Sequence, residues 1–245
     1  MTTTLEPATE ISMSNLFKNA LIIELNIGCP SGSKAMNNAA QKIRQYFALA
    51  TGKWGNSSSG IIDAAHLEEI KEKLDSLIIS FNTEAANSIN DFLGENWAEY
   101  RNKFYANYQV RPVERPEFKS DSMSIDRINH VNSIIQENLV NNLRNLEISL
   151  INRVRDKVCH FVDRLMNPDA KIHTSIKTNI NETIEECRKL NVNGNMTFSE
   201  LLDLIELKIN SVDINMVRTN EARRDEALLM GASSIEKIKE VLETY

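Results

Sequence analysis

The stretch that decides the fold is residues 125–165, IDRINHVNSIIQENLVNNLRNLEISLINRVRDKVCHFVDRL. Its apolar residues recur at steps of three or four, which is the α-helical repeat and differs from the alternation of a strand. No Gly or Pro interrupts it. At about 1.5 Å per residue, the stretch predicts one helix roughly 60 Å long. Its apolar stripe comprises Ile125, Ile128, Val131, Ile135, Leu139, Leu143, Leu146, Leu150, Val154, Val158, Phe161 and Leu165.

A second long helical region is predicted over residues 61–108. Apolar residues follow helical spacing from Leu67 to Phe92, and aromatic residues continue that spacing to Tyr108. Pro112 and Pro116 then interrupt any helix. Because the apolar steps average about 3.5 residues, we expect the two long helices to pack as an antiparallel, coiled-coil-like hairpin.

One strand is predicted over residues 20–27, ALIIELNI, because it is rich in β-branched residues and ends at Gly28. A lone strand needs a partner. We expect a small hairpin or an edge supplied by another protein, with 110–113 and 171–175 as the candidate second strands. Residues 35–50 follow as a predicted helix and 52–60 as a loop.

The predicted fold class is therefore mainly α, an elongated long-helix hairpin with a small helical end region and one short N-terminal strand or hairpin. Five segments are expected along the chain. They are a flexible tail over 1–14, the strand, turn and first long helical region over 15–110, a Pro linker over 111–120, the long helix of the arm over 121–167, and a C-terminal helical region over 168–245.

Composition limits the classes of function. The 245 residues carry a formal net charge of −6. This charge disfavours a protein that wraps nucleic acid, because phosphate binding depends on Lys and Arg. The three cysteines are odd in number and widely spaced, which favours reduced thiols and a cytoplasmic location. No secretory signal or membrane-spanning run is expected.

The turn after the predicted strand, GCPSGSK over residues 28–34, resembles a phosphate loop. Its spacing is one residue short of the GxxxxGK[ST] pattern, and Ala35 stands where that pattern needs a hydroxyl. A plain strand-to-helix turn is the favoured interpretation, and an anion site at the helix N-terminus is the alternative. The anion-site candidates are Ser31, Gly32, Ser33 and Lys34.

No catalytic, cofactor or metal residue is predicted, and we expect the chain not to be an enzyme. Cys159 and His160 are adjacent, and neighbours on a helix point about 100° apart, so they cannot readily act as a nucleophile and base. The histidines lack metal-ligand spacing.

An aromatic and basic stretch over residues 97–115 could bind a partner or stack nucleic-acid bases. The alternative interpretation is that helical spacing buries it as core. The partner-binding candidates are Trp97, Tyr100, Tyr105, Arg111 and Arg115.

Three stretches together resemble an uncharacterised family of tailed-phage and bacterial proteins, which in bacteria is often encoded beside a MoxR-type AAA+ ATPase and a von Willebrand A-domain protein. They are residues 21–34, residues 179–184 with the turn 190–195, and the C-terminal pattern of Arg224, Ala227 and 232–235. The resemblance implies an accessory or adaptor protein with an AAA+ ATPase as a possible partner. If the chain is phage-encoded, as the resemblance allows, the expected cytoplasmic location is the cytoplasm of the bacterial host.

The sequence thus favours a non-enzymatic helical interaction protein, a phage or bacterial adaptor or regulator of a larger assembly. Two alternatives stay open. One is a nucleic-acid-associated or nuclease-inhibiting protein, and the other is a nucleotide-binding protein that uses residues 28–35. A long apolar stripe exposes more surface than one partner helix covers, so we expect a homo-oligomer or a heterocomplex with a protein partner.

Overall fold

The computed structural model describes residues 10–29, 34–55, 58–91, 103–114, 118–167 and 169–243. They form mainly helices, together with a small antiparallel sheet of four strands. The chain divides into two compact units. Residues Leu16–Arg115 are the sheet unit, and Met1–Asn15 with Pro116–Tyr245 are the helical unit. The predicted mainly α class is confirmed.

The sheet has the strand order β2–β3–β1–β4. Its strands are β1 (Ala20–Gly28), β2 (Gly52–Lys53), β3 (Ser59–Asp63) and β4 (Tyr105–Pro112). In the centre of the sheet, Ile23 lies opposite Gly60 on one side and Val110 on the other. The predicted strand over 20–27 is therefore confirmed as β1, and its partners are two strands on either side.

Helix α1 (Glu10–Asn19) leads directly into β1. Helices α2 (Lys34–Ala50) and α3 (Leu67–Asp91) belong to the sheet unit, with a 3₁₀ helix over Ala64–His66. Asp63 ends β3 and caps that 3₁₀ helix, since its Oδ1 accepts from the Ala65 N–H at 2.8 Å. Helix α2 packs along α3, and α3 also contacts β4. The buried apolar residues of α2 and α3 include Met36, Ala40, Ile43, Phe47, Ile70, Leu74 and Phe81.

Both ends of the helical region predicted over 61–108 are wrong. Residues 61–63 belong to β3, and residues from Tyr105 onward form β4. A spacing of four between Phe104 and Tyr108 is compatible with a helix, but cross-strand pairing with β1 decides the structure here. Of the two candidate second strands, 110–113 largely coincides with the end of β4, whereas 171–175 is not a strand.

Three smaller expectations also change. Residues 52–53, in the predicted loop 52–60, pair with β3 as the short strand β2. Helix α1 begins at Glu10, inside the predicted flexible tail 1–14. Strand β4 includes Arg111 and Pro112, the first residues of the predicted linker 111–120. Proline is tolerated there because it stands at the end of an edge strand.

From residue 118 onward, the described part of the helical unit contains the long helix and four shorter ones. They are α4 (Ile125–Met166), α5 (Ser175–Lys189), α6 (Met196–Ser211), α7 (Ile214–Thr219) and α8 (Glu221–Glu243). Helix α4 packs against α5 and α8, and α6 packs against both of these shorter helices. At Gly231 of α8, an added Cβ would lie 2.6 Å from Val162 Cγ2, so the glycine allows close approach to α4.

Helix α4 has 42 residues and confirms the long uninterrupted helix. The other predicted arm is shorter, because residues 61–63 belong to β3 and residues 105–108 belong to β4. Helix α3 accounts for 25 residues of it, and residues 92–102 lie outside the described residues. The C-terminal half of the α4 stripe is buried with α5 and α8, which belong to the predicted C-terminal helical region. The hairpin prediction assigned the burial of this stripe to the first long helical region, and the C-terminal helices supply it instead.

Within the described ranges, no helix combines the length and the apolar character that crossing a bilayer requires.

Candidate functional site

The apolar stripe of α4 has two halves with different environments. From Leu143 to Leu165 the stripe residues are buried in the helical unit. From Ile125 to Leu139 they are not: Ile125 is 75% exposed, and the others are half-buried. Beside them Ile134 is 44% exposed. We call this surface the N-terminal stripe, which consists of Ile125, Ile128, Val131, Ile134, Ile135 and Leu139.

The N-terminal stripe covers a broad arc of the helix. At 100° per residue its six residues span about 180°, wider than the stripe by which a surface helix usually contacts its core. Most of the side chains on the rest of this segment are polar, including Arg127, Ser133 and Glu137. The segment is therefore amphipathic without a fully buried apolar side. This arrangement is typical of a helix that completes its packing with another protein.

The chain entering α4 lies against the helix through Asn132. The Phe118 N–H donates to Asn132 Oδ1 at 2.7 Å, and Asn132 Nδ2 donates to the Phe118 carbonyl at 3.3 Å. The N-cap residue Ser124 makes no side-chain capping bond. Asn132 thus fixes the entering segment beside the N-terminal stripe while leaving Ile125 and Ile134 exposed.

A buried polar cluster anchors the middle of α4 to the turn before α6. The Glu147 carboxylate accepts from Asn193 Nδ2 at 2.6 Å and from Asn195 Nδ2 at 2.9 Å, both at Oε1. Asn195 also caps α6, because its Oδ1 accepts from the Phe198 N–H. Gly194 has a φ of +67°, which lets the turn reverse between the two asparagines. These hydrogen bonds hold the turn that precedes α6 against the middle of α4.

The end of α4 is held by Arg224 of α8. Its Nε donates to the Leu165 carbonyl at 2.7 Å, and its Nη2 donates to the carbonyls of Arg164 and Asn167. These carbonyls belong to the last turn of α4 and the residue after it, where no further N–H groups of the helix are available to donate to them. A guanidinium there also complements the helix dipole. Arg224 and the turn 190–195 thus hold α4 in place at its C-terminal end and its middle.

The sequence-predicted anion site is only partly described. Ser31, Gly32 and Ser33 lie outside the described residues, and Lys34 is the exposed first residue of α2. Cys29, the second residue of this turn, donates from its Sγ to Asn37 Oδ1 at 3.5 Å. The anion site stays a prediction.

Of the predicted partner-binding residues, too, only some lie within the described part of the chain. Trp97, Tyr100 and Arg115 lie outside the described residues. Tyr105 and Arg111 stand on one face of β4, and both are exposed. Arg111 pairs diagonally across the strands with Glu24 of β1, its Nη2 lying 2.9 Å from Glu24 Oε1. For these two residues, the alternative of a buried helical core is wrong, because β4 is a strand with an exposed face.

Cysteine, histidine and carboxylate side chains are the remaining candidates for chemistry in the part of the chain that the structure describes. There, no group of three or more His, Cys, Asp and Glu side chains is placed to hold a metal ion. Cys159 is half-buried and His160 is exposed on α4. The third cysteine, Cys187, is fully buried, and its Sγ donates to the Leu150 carbonyl at 3.6 Å.

A cavity of about 270 Å³ lies where α6, α7 and α8 meet. Its lining residues Arg223 and Glu226 pair with each other at 2.7 Å. Asp213 adds a further negative charge and caps α7. Because the only basic side chain of the lining is neutralised, the cavity is unsuited to phosphate-bearing ligands.

Comparisons with protein-family models, curated proteins and solved structures found no match.

Two features of this structure differ from what the sequence predicts or were not predicted from it. The stripe was predicted as uniform, but only its N-terminal half is left for a partner. Glu147 gave a usable signal, because it lies one residue from Leu146 and four from Leu143, on the apolar side of α4. The pairing of Glu147 with Asn193 and Asn195 joins residues far apart in the chain and had no local signal.

Proposed function

We propose that this chain is a non-enzymatic helical interaction protein, an adaptor or regulator that docks onto a larger assembly through the N-terminal stripe of α4. The observation that supports the proposal is the change of environment along one helix. Leu146 and Leu150 are buried, while Ile125 and Ile134, on the same uninterrupted helix, are exposed. Burying exposed apolar side chains against a partner is favourable by about 25 cal/mol per Å² of apolar surface.

The helical unit makes the stripe a stable docking element. Helix α4 is anchored at its middle by Glu147 and at its C-terminal end by Arg224. A partner that contacts residues 125–139 would therefore meet a helix that is already formed. Preformed structure lowers the conformational entropy lost on binding, which favours an amphipathic helix as an interaction element.

The partner that we propose is the MoxR-type AAA+ ATPase suggested by the family resemblance, and in this role the chain works in the cytoplasm. Helix α4 carries charges of both signs along its polar side, such as Arg127 and Glu137. Opposite charges neutralise each other locally, so we expect the contact to be only mildly sensitive to salt.

The test is a calorimetric titration of the purified full chain with the MoxR-type ATPase encoded in the same genome. We expect binding in the micromolar range or tighter, and an Ile134→Glu variant should bind at least about tenfold more weakly because a charge would enter the apolar contact. Leu207→Glu is the matched control, because Leu207 is an exposed apolar residue of α6 outside the stripe. It should bind as wild type.

Two results would argue against the proposal. One is a folded wild-type chain that binds no co-encoded ATPase in this range. The other is equal weakening by Ile134→Glu and Leu207→Glu, which would indicate a contact that does not use the N-terminal stripe. Circular dichroism of each variant separates loss of binding from loss of folding.

A further inference from the structure

The outer edge of β4 carries backbone groups that β1 does not use. On the β3 side of β1, the Leu25 N–H donates to the Ser58 carbonyl at 2.8 Å. On the β4 side, the Val113 N–H donates to the Ala20 carbonyl at 3.3 Å. Because the direction of backbone groups alternates along a strand, odd-numbered residues of β4 face β1 and even-numbered residues face outward. The outward N–H and C=O groups belong to Ala106, Tyr108 and Val110.

These outward groups form no hydrogen bond with any residue that the structure describes. Strand β4 is the last strand of the sheet order. Natural edge strands are usually protected by charges, prolines or bulges. Between Tyr105 and Val110, β4 has no charged residue and no proline. Its edge is therefore suited to pairing with another strand.

We propose that β4 pairs antiparallel with β4 of a second copy of this chain, about a two-fold axis at Tyr108, to form one continuous sheet. The inference goes beyond the proposed function, because it uses a different unit and different residues. In this register, two residues that lie opposite each other are equally far in sequence from Tyr108, one before it and one after it. Tyr108 faces Tyr108 of the second copy, and Ala106 faces Val110. Every outward N–H of these residues then meets a carbonyl.

The position of Pro112 fits this register. Pro112 is an even-numbered residue, so the N–H that it lacks would have faced the second copy. Its opposite residue is Phe104 of the second copy, which lies just before β4 begins. The missing donor thus falls at the end of the pairing rather than inside it. A register centred on Val110 would place Pro112 opposite Tyr108 and lose hydrogen bonds within the strand.

The side chains on one face of the sheet are complementary in the same register. Tyr105 lies opposite Arg111 of the second copy, which allows a guanidinium to stack on an aromatic ring. Asn107 lies opposite Gln109, and two amides can exchange hydrogen bonds. Arg111 is the only charged residue of β4, and its distance from the axis keeps the two copies of this charge apart. No like charges are brought together.

Exposed apolar residues lie beside this edge. Val110 is 38% exposed, on the face of the sheet that also carries Tyr108. The Tyr108 hydroxyl donates to Asp75 of α3 at 2.8 Å, so this part of α3 lies over β4. One helical turn after Asp75, Ile79 is 66% exposed. A second copy paired at β4 would cover Val110 and bring two such helix faces to the same interface.

A disulfide test reports the register directly. In the proposed pairing, Asn107 and Gln109 of the two copies form a non-hydrogen-bonded pair with Cα atoms about 4.5 Å apart, which a disulfide can bridge. We expect the Asn107→Cys/Gln109→Cys variant, in a Cys29→Ser/Cys159→Ser background, to form a covalent dimer on mild oxidation. Asn107→Cys alone is the matched control and should not cross-link, because it faces Gln109 and not another Asn107.

Sedimentation of the full chain is the second measurement. The wild type should be a dimer in the micromolar range. Val110→Pro removes an outward N–H without removing a bond to β1, and should weaken dimerisation by about tenfold or more. Val110→Thr keeps that N–H and the β-branched shape, and should dimerise as wild type.

A wild-type chain that stays monomeric in the micromolar range overturns the proposal. So does a double-cysteine variant that fails to cross-link, or a dimer that Val110→Pro leaves intact. Ile134→Glu should not change the dimer, so the failure of this inference and the failure of the proposed docking surface are separate results.

Discussion

Asn193 donates a hydrogen bond of 2.6 Å to the carboxylate of Glu147, and both residues are buried. Forty-six positions separate the two residues in the sequence. The bond joins the middle of the long helix to the turn that starts α6. Since an unpaired buried carboxylate is costly, this contact specifies where the turn must lie against the helix.

Replacing Glu147 should reveal the energy of this cluster. In Glu147→Ala, the side-chain amides of Asn193 and Asn195 lose their acceptor, and we expect a loss of about 2–4 kcal/mol in the free energy of unfolding. Glu147→Gln keeps an oxygen acceptor and should cost about 1 kcal/mol. Urea denaturation followed by circular dichroism is the measurement. Equal stability of the two variants would mean that the acceptor oxygen is unimportant.

The two halves of α4 should differ in their sensitivity to truncation. Leu146 is fully buried, and Leu146→Ala should cost about 2–5 kcal/mol through lost burial and the cavity left behind. Ile125→Ala removes side-chain atoms from an exposed position and should change stability by less than about 0.5 kcal/mol. Thermal melts of both variants test this contrast. A large loss in Ile125→Ala would show that the N-terminal stripe is already packed in the isolated chain.

Cys187 should be protected from thiol reagents in the folded protein. Burial raises the pKa of its thiol to about 12, so almost no thiolate is present near neutral pH, and the sulfur is also inaccessible. Alkylation with iodoacetamide followed by peptide mass spectrometry should modify the half-buried Cys29 and Cys159 first. Cys187 should react only after denaturant is added. Rapid native modification of Cys187 would contradict the packing of α5 against α4.

The bond from Tyr108 to Asp75 predicts a pH dependence at high pH. Burial, and then the hydrogen bond and negative charge of Asp75, raise the pKa of Tyr108 from 10.0 to about 12. A pKa raised in the folded state stabilises the fold below the unfolded value, and this stabilisation is lost as the pH rises from about 10 to about 12. Wild type should therefore lose more stability than Tyr108→Phe over this interval in chemical denaturation. Parallel losses in the two chains would rule out the bond.

The sequence predicts the long helix well because its signal is local and repeated. Twelve apolar positions of the stripe follow one helical period, and no Gly or Pro interrupts the stretch that contains them. Strand β4 has no such signal. One of its faces carries Tyr105, Asn107 and Gln109, and the other carries Ala106, Tyr108 and Val110, so neither is uniformly apolar. An exposed edge strand lacks the clear alternation by which a half-buried strand is detected.

The candidate site was predictable only in part, for a physical reason. The spacing of apolar residues in α4 is the same before and after Leu143. The burial of each half of the stripe depends instead on which other helices pack against it. Contacts between residues far apart in the sequence determine this packing, such as Arg224 with the Leu165 carbonyl and Gly231 with Val162. Sequence periodicity identifies the surface that needs a partner, but tertiary packing determines how much of it remains uncovered.

Hydrogen exchange of the full chain, with and without the proposed AAA+ ATPase partner, tests the central claim most directly. Amides of residues 143–165 should exchange slowly in both samples, because that half of α4 is buried. Amides of residues 125–142 should exchange faster in the free chain and become protected in the complex. A complex in which protection arises elsewhere while residues 125–142 exchange as in the free chain would contradict the account.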